Sequence, residues 1–438
     1  MDDSVFSSQF QAMRDAFARN DISIEVAYTP SGRADYIYEA GRLLARESVL
    51  PRIQKVLPGT SVVRRVLSAP DSVVASEPSS ARRPPLLVLS IDDLRDDQGR
   101  HYHLTVPQAL DVLDAALDIR GPEPDGFPLV TPVHILHVTQ ASPDTVRTCP
   151  ATEPEVPCCC AADEPCPPCP PAAPGGGAGV TIGVCDSGLL TDLVAAAWLA
   201  NASGDADPLG PLLGSGYYDI PRYCGHGTFV AGVAASQAPE STIYVARDFV
   251  MAGGQREWVI VEQLQNLAAY AQVINLSAGS YARNDWPLLS FSAFEYGGIT
   301  LTAAAGNDAT HRKFYPAAFD WAVAVGALGA DQQSRAWFSN YGDWVDVYTL
   351  GEGLVNAFAV GEYTYQEPPK RPSTQVFSGR ARWSGTSFAA PMVAGQIAAL
   401  MASAQLTAAQ ATDQLLAGAG LRPIAGLGPV PVLLPWQP

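Results

Sequence analysis

The sequence predicts an α/β protein: a doubly wound, mostly parallel sheet preceded by a smaller α+β domain. Three observations carry this reading. From residue 180 onward, short apolar runs alternate with helical patterns, as expected for a parallel sheet covered by helices. Before residue 148 the elements follow a different order. Between these regions, 148–179 is rich in Pro, Cys, Ala and Gly, lacks a hydrophobic period and reads as a linker. The expected units are therefore an N-terminal domain (1–147), the linker (148–179) and a second domain (180–438).

In the first unit, 22–28 alternates apolar and polar residues like a strand. Residues 34–56 place Ile37, Ala40, Leu43, Leu44, Val49 and Ile53 at helical spacing. Segment 61–66 is strand-like, 86–91 is a compact apolar run, 106–119 returns to helical period, and 129–138 is a final strand. Strand, helix, strand, strand, helix, strand is the split βαβ, or ferredoxin-like, arrangement. In the second unit, strands are expected at 180–185, 243–246, 273–276, 300–305 and 321–327. Helices are expected at 228–235, 259–271, 290–296 and 388–401. Ligand sites in such sheets lie at the carboxyl ends of strands. Asp186, Ser277 and Asn307 fall at or just after such ends.

The 438 residues suffice for two domains and a large core. A formal net charge of −17 argues against a general nucleic-acid surface. The sequence has no run of 18 uninterrupted apolar residues, so no spanning helix and no membrane association are expected. The start, Met-Asp-Asp-Ser-Val-Phe, lacks a basic segment followed by an apolar one, so a cytoplasmic protein is the expectation. Six of the eight cysteines crowd into one window: Cys149, Cys158, Cys159, Cys160, Cys166 and Cys169. A zinc knuckle, redox or disulfide chemistry, and a plain unliganded linker all stay open for them. Cys185 is expected to pack in the core. Cys224, two residues before His226, is the expected point of attack for thiol-directed mercurials.

Three words carry the chemistry: Val184-Cys185-Asp186-Ser187-Gly188, Gly225-His226-Gly227-Thr228-Phe229-Val230-Ala231-Gly232, and Ser384-Gly385-Thr386-Ser387-Phe388-Ala389-Ala390-Pro391. Asp, His and Ser together activate a hydroxyl nucleophile: His removes the serine proton, and Asp fixes the tautomer and stabilises the imidazolium. Ser387 opens a predicted helix, where unpaired N–H groups and the helix dipole favour developing negative charge. Pro391 is read as compatible with that helix's first turns.

The order Asp, His, Ser and the words D-S-G, H-G-T-x-V-A-G and G-T-S-x-A-A-P resemble the subtilisin-like serine peptidases, the subtilase family, over about 180–421. The resemblance implies catalytic Asp186, His226 and Ser387, a protein or peptide substrate, cleavage through an acyl-enzyme, and no cofactor. It implies that Asn307, in Ala303-Ala304-Ala305-Gly306-Asn307, donates to the oxyanion beside the Ser387 N–H. Ser277, Ala278 and Gly279 would form one wall of the primary substrate pocket, with Ala305 and Gly306 on the other. Tyr315-Pro316 would place Phe314 at its floor, and Asp308 would lie at a solvated rim. Substrate would add as an extra strand.

Phe229, Phe388 and Met392 depart from the family's usual residues, and the short 236–241 connection puts the family's calcium loop in doubt; no metal site is assigned. Residues 353–383 are longer than the simple family pattern and carry an exposed Glu367-Pro368-Pro369-Lys370-Arg371-Pro372 loop near the nucleophile. Subtilase propeptides share the ferredoxin-like topology. The N-terminal domain is thus expected to contact the peptidase domain as a propeptide or regulator, with any self-cleavage in 148–179. A regulated sensor or binding protein on a peptidase fold with little activity is the alternative.

Overall fold

The structure, a computed structural model, describes residues 4–66, 85–138, 152–157, 176–190, 199–294 and 297–435. The N-terminal region contains α1 (Ser4–Ala18), β1 (Ile24–Tyr28), β2 (Ala34–Arg46), α2 (Leu50–Val56), β3 (Ser61–Val66), β4 (Leu86–Ser90), α3 (Val106–Leu117) and β5 (Val130–His137). Its antiparallel sheet runs β3-β4-β2-β5, with β1 also paired to β2. From β2 to β5 this is the ferredoxin-like order. Helix α3 is specified locally. The Thr105 side chain and Gln108 form a capping box, and Val106, Ala109, Leu110 and Leu113 make the buried stripe.

The helix expected over 34–56 is corrected: its first part is the long strand β2, and only Leu50–Val56, after a 3₁₀ turn at Glu47–Val49, is α-helical. The reason is burial on both faces. Leu43 and Ala45 pack with α2 and α3, whereas Leu44 faces Val133, Trp258 and Leu289. A strand covered on both sides loses its apolar–polar alternation, and the resulting run imitates a helical period.

The second region follows as β6 (Thr181–Asp186), β7 (Ala202–Gly204), α4 (His226–Gln237), β8 (Thr242–Arg247), β9 (Gly254–Arg256), α5 (Glu257–Ala268), β10 (Val273–Leu276), β11 (Thr300–Ala304), β12 (Val323–Leu328) and β13 (Val347–Leu350). Then come β14 (Leu354–Thr364), β15 (Thr374–Trp383), α6 (Thr386–Ala404), α7 (Ala408–Gly418), β16 (Gly420–Ile424) and β17 (Gly428–Val432). The large sheet is ordered β16-β17-β13-β12-β11-β10-β6-β8-β7, and the pairs from β8 through β13 are parallel. The expected helix at 290–296 is reduced to a 3₁₀ turn at Leu289–Ala293.

Helices α4 and α6 lie in the main core. Small residues let them approach: a Cβ on Gly395 would stand 2.5 Å from the Ala234 carbonyl oxygen. Helix α6 is long and apolar enough to cross a membrane by length and composition, which the search for uninterrupted apolar runs did not register. Most of it is buried in the body, as befits a core helix. Strand β9 pairs antiparallel with β5, so the N-terminal sheet continues into the body.

Candidate active site

Asp186 is the last residue of β6, His226 the first of α4 and Ser387 the second of α6. The parallel order brings these ends to one edge of the sheet. The Nδ1–H of His226 donates to Asp186 Oδ1 at 2.7 Å, and the Ser187 backbone N–H donates to the same oxygen at 2.7 Å. A carboxylate only accepts, so Nδ1 carries the proton and Nε2 keeps its lone pair. Nε2 has no hydrogen-bond partner among the described residues.

Asp207, absent from the sequence reading, ties the two ends together. Its Oδ2 accepts from Ser187 Oγ at 2.9 Å and from the Gly225 N–H at 2.7 Å. Ser187 Oγ in turn accepts the Gly227 N–H at 3.0 Å. Burial pushes the Asp207 carboxyl up to about 6. Its only sequence signal is an acidic residue in a polar loop, which is too common to single out.

The Ser387 hydroxyl points to the Ser277 carbonyl at a long 3.4 Å. Turning its χ1 releases this weak contact. The Ser277 hydroxyl donates to the Ser387 carbonyl at 2.7 Å. Pro391 explains that bond: it lies in the second turn of α6, four residues after Ser387. Lacking an N–H, it leaves the Ser387 carbonyl without its usual helical donor. Asn275 Nδ2 donates to Ser277 Oγ at 2.9 Å, and Thr302 Oγ1 donates to Asn275 Oδ1 at 3.1 Å, which extends the network across two strands, β10 and β11.

Asn307 is oriented through its oxygen. Oδ1 accepts from the Thr386 backbone N–H at 2.9 Å and from Thr386 Oγ1 at 2.8 Å. The amide is thereby fixed with Nδ2 as its donor end. Two of the family departures touch each other: the Phe229 and Phe388 rings are 4.5 Å apart. Phe388 and Trp383 also flank the His226 ring, at 5.3 and 5.6 Å. Sequence reading missed Trp383, whose position in the 353–383 stretch gave no periodic signal.

Ser277, Ala278 and Gly279 lie beyond the end of β10, and Ala305 and Gly306 beyond β11. Phe314 fits between these two segments. A Cβ on Gly279 would meet its ring at 2.4 Å, and a Cβ on Gly306 would meet it at 3.2 Å. The expected position of Asp308 is corrected: it is buried, and its Oδ2 accepts the Tyr281 hydroxyl at 2.8 Å. Tyr281 and Asn340, which holds the Asp308 N–H at 3.0 Å, turn the carboxylate inward, away from a solvated rim.

The end of β5 lies along this same strand. The His137 N–H donates to the Gly279 carbonyl at 3.0 Å, and the Gly279 N–H returns to His137 at 3.2 Å. The Val138 N–H donates to the Gly253 carbonyl at 2.9 Å. Burial pushes the His137 imidazole down to about 3. His134, one pleat earlier, is buried against Glu257 at 3.0 Å, and its Nε2 accepts the Arg283 N–H at 3.2 Å. Both histidines read as ordinary residues from sequence, because their partners lie more than a hundred positions away.

Cys185 and Cys224 are buried and free, and burial raises both thiols. The cysteines at 149–169 lie outside the described residues. Among the described residues no group of three or more His, Cys, Asp or Glu could hold a metal ion.

An Asp–His pair and a helix-borne serine thus lie at the strand ends of a doubly wound α/β body. The chain belongs to the subtilase family, whose model matches residues 177–422. It is similar to a thermophilic serine proteinase of Bacillus sp. (strain AK1), with 34% identity over 42% of this chain and 44% of that protein. It is also similar to an intracellular serine protease of Paenibacillus polymyxa, with 30% identity over 40% of this chain and 53% of that protein. The chain spans about half the length of the curated relatives it matches. A cold adapted subtilisin-like serine proteinase of known structure aligns over 61% of this chain and 92% of its own, with 23% identity and a TM-score of 0.46.

Proposed function

We propose that this chain is a serine endopeptidase whose N-terminal sheet restrains it. The carrying observation is the 2.7 Å pair between Asp186 and His226, with its tautomer fixed and Nε2 left as a base. In this reading Ser387 Oγ turns to His226 and attacks the peptide carbonyl. The imidazole takes the proton and passes it to the leaving amine. Asn307 Nδ2 and the Ser387 N–H hold the oxyanion, and water then releases the acyl group. Phe314, wedged between the pocket walls, favours a small residue before the cleaved bond.

Restraint is supported by the β5 end, which pairs with Gly279 and Gly253 as an extended substrate would. Asp186 and His226 are fully buried and Ser387 nearly so. Strand β5 pairs with Gly279, two residues from the Ser277 whose carbonyl the Ser387 hydroxyl meets, so we place self-cleavage between Val138 and Thr152, upstream of most of the linker. Labelling with a fluorophosphonate tests the peptidase reading. Wild type should be labelled at Ser387 and Ser387→Ala should not; an unlabelled wild type, even after proteolytic removal of the N-terminal sheet, would favour the binding-protein alternative. N-terminal sequencing of any processed form tests the position of the cut.

A further inference from the structure

We infer that the β14–β15 hairpin carries a subsite for an acidic, extended peptide on the leaving-group side of the nucleophile, a reading that rests on the proposed peptidase function. The occupant seen is the chain's own segment Thr152-Glu153-Pro154-Glu155. Glu155 pairs antiparallel with Arg382, exchanging N–H to carbonyl bonds of 2.9 and 2.7 Å. The Trp383 indole N–H donates to the Thr152 carbonyl at 2.6 Å.

Both acidic side chains have dedicated partners on the hairpin and its connecting loop. Glu153 Oε1 accepts the Tyr363 hydroxyl at 2.8 Å and the Gln366 N–H at 2.8 Å, and Oε2 accepts the Glu367 N–H at 3.2 Å. Glu155 bridges Lys370 and Arg382, the latter at 2.6 Å. The Lys370 ammonium also lies 4.8 Å from the centre of the Tyr365 ring. This is the long stretch that sequence reading could only describe as a loop near the nucleophile.

Chain polarity assigns the side. A peptide crossing the nucleophile runs in along residues before the cleaved bond and runs out along those after it. Strand β5 arrives with its C-terminal end at Gly279. Segment 152–157 instead begins at Trp383, whose ring flanks His226, and then runs away along β15. It has the direction of the departing half of a substrate. Main-chain pairing with Arg382 supplies sequence-independent affinity, and the spaced carboxylates supply selection. The substrate class is thus a protein with two acidic residues, one position apart, shortly after the cleaved bond.

The test uses the full chain carrying Ser387→Ala, Glu153→Gln and Glu155→Gln, so it needs no catalysis. Fluorescence anisotropy would measure binding of the labelled hexapeptide Thr-Glu-Pro-Glu-Val-Pro and of its twin with both glutamates as glutamine. The tethered segment competes equally with both, so the ratio is informative. About three- to ten-fold tighter binding of the acidic peptide is expected, given partly exposed ion pairs. Adding Lys370→Gln and Arg382→Gln, both on exposed side chains, removes the partners of Glu155 only and should lower the ratio to the part set by Glu153. Equal affinity, no binding by either peptide, or a ratio unchanged by the two substitutions would overturn the inference. Fluorophosphonate labelling of Ser387 in otherwise unaltered chain reports the peptidase reading separately.

Discussion

The body and the N-terminal sheet contribute to the candidate site in different ways. In the body, parallel strands buried on both faces end at Asp186, Ser277 and Asn307, and α6, in the core, carries Ser387. Positions there are set by the sheet itself. The N-terminal sheet is antiparallel and reaches the site through the end of one strand, β5. Its hold includes main-chain bonds, an apolar face against Trp258 and Leu289, the buried His134–Glu257 pair, and ion pairs of Arg283 with Asp111 and Asp114 and of Arg312 with Asp35. In the proposed reading, the difference assigns chemistry and access to separate contact sets. Substitutions should therefore separate them.

The largest effect belongs to the body. Ser387→Ala should lower kcat by about 10⁶-fold, and Asp186→Asn by about 10⁴-fold through the wrong tautomer, with melting temperature little changed. Peptide hydrolysis beside thermal unfolding checks this; near wild-type turnover in either variant removes the body from the chemistry. Asn307→Ala should cost about 10²–10³ in kcat while KM moves less.

On the other side of the comparison, Glu257→Ala strips partners from the His134 N–H and ring, and from the Ser290 N–H and hydroxyl. Leaving these buried donors unpaired costs roughly 1–3 kcal/mol each at most. The loosened N-terminal sheet should raise activity of the full chain by about tenfold or more, tenfold for each ~1.4 kcal/mol of affinity it loses. A fall in activity together with stability would mean that the two regions act as one unit.

A smaller effect comes from pH. His137 is held neutral, with its value pushed down to about 3 by burial, whereas a released strand carries an ordinary imidazole near 6.5. A depressed histidine costs the docked state as pH falls below the released value. From pH 7.5 to 5.5, docking should weaken by about tenfold. Protection factors of the Gly279 and Val138 amides in Ser387→Ala would show it; unchanged protection would assign the restraint to other contacts. The smallest effect concerns Cys224. It is buried with its thiol raised, so mercurials should react slowly, and Cys224→Ser should keep activity within about twofold. Fast modification at this thiol would show that the body opens more readily than the N-terminal sheet.

What could be read from the sequence follows the same division. The words around Asp186, His226 and Ser387 combine residue type, spacing and strand-end placement, so fold and family were legible. Parallel strands such as Val273–Leu276 were legible as short apolar runs. Strand β2 was misread because both its faces are covered, and one of those covers belongs to the other region. Asp308 was misplaced because its direction is decided by Tyr281 and Asn340, which no local pattern connects to it. Contacts such as His137 with Gly279 exist only once the regions meet.

In the proposed peptidase, Pro391 bears on the stage of assembly at which the serine gains its setting. A helix normally completes its own first turns, but here the carbonyl of Ser387 waits for a hydroxyl from Ser277, 110 residues earlier in the chain. Helix α6 alone leaves the serine in a frayed turn. Only a chain that has already laid down the central strands supplies the missing donor. A half-made molecule without those strands would therefore carry the serine without its setting, so that in the proposed reading the central strands are a condition of competence.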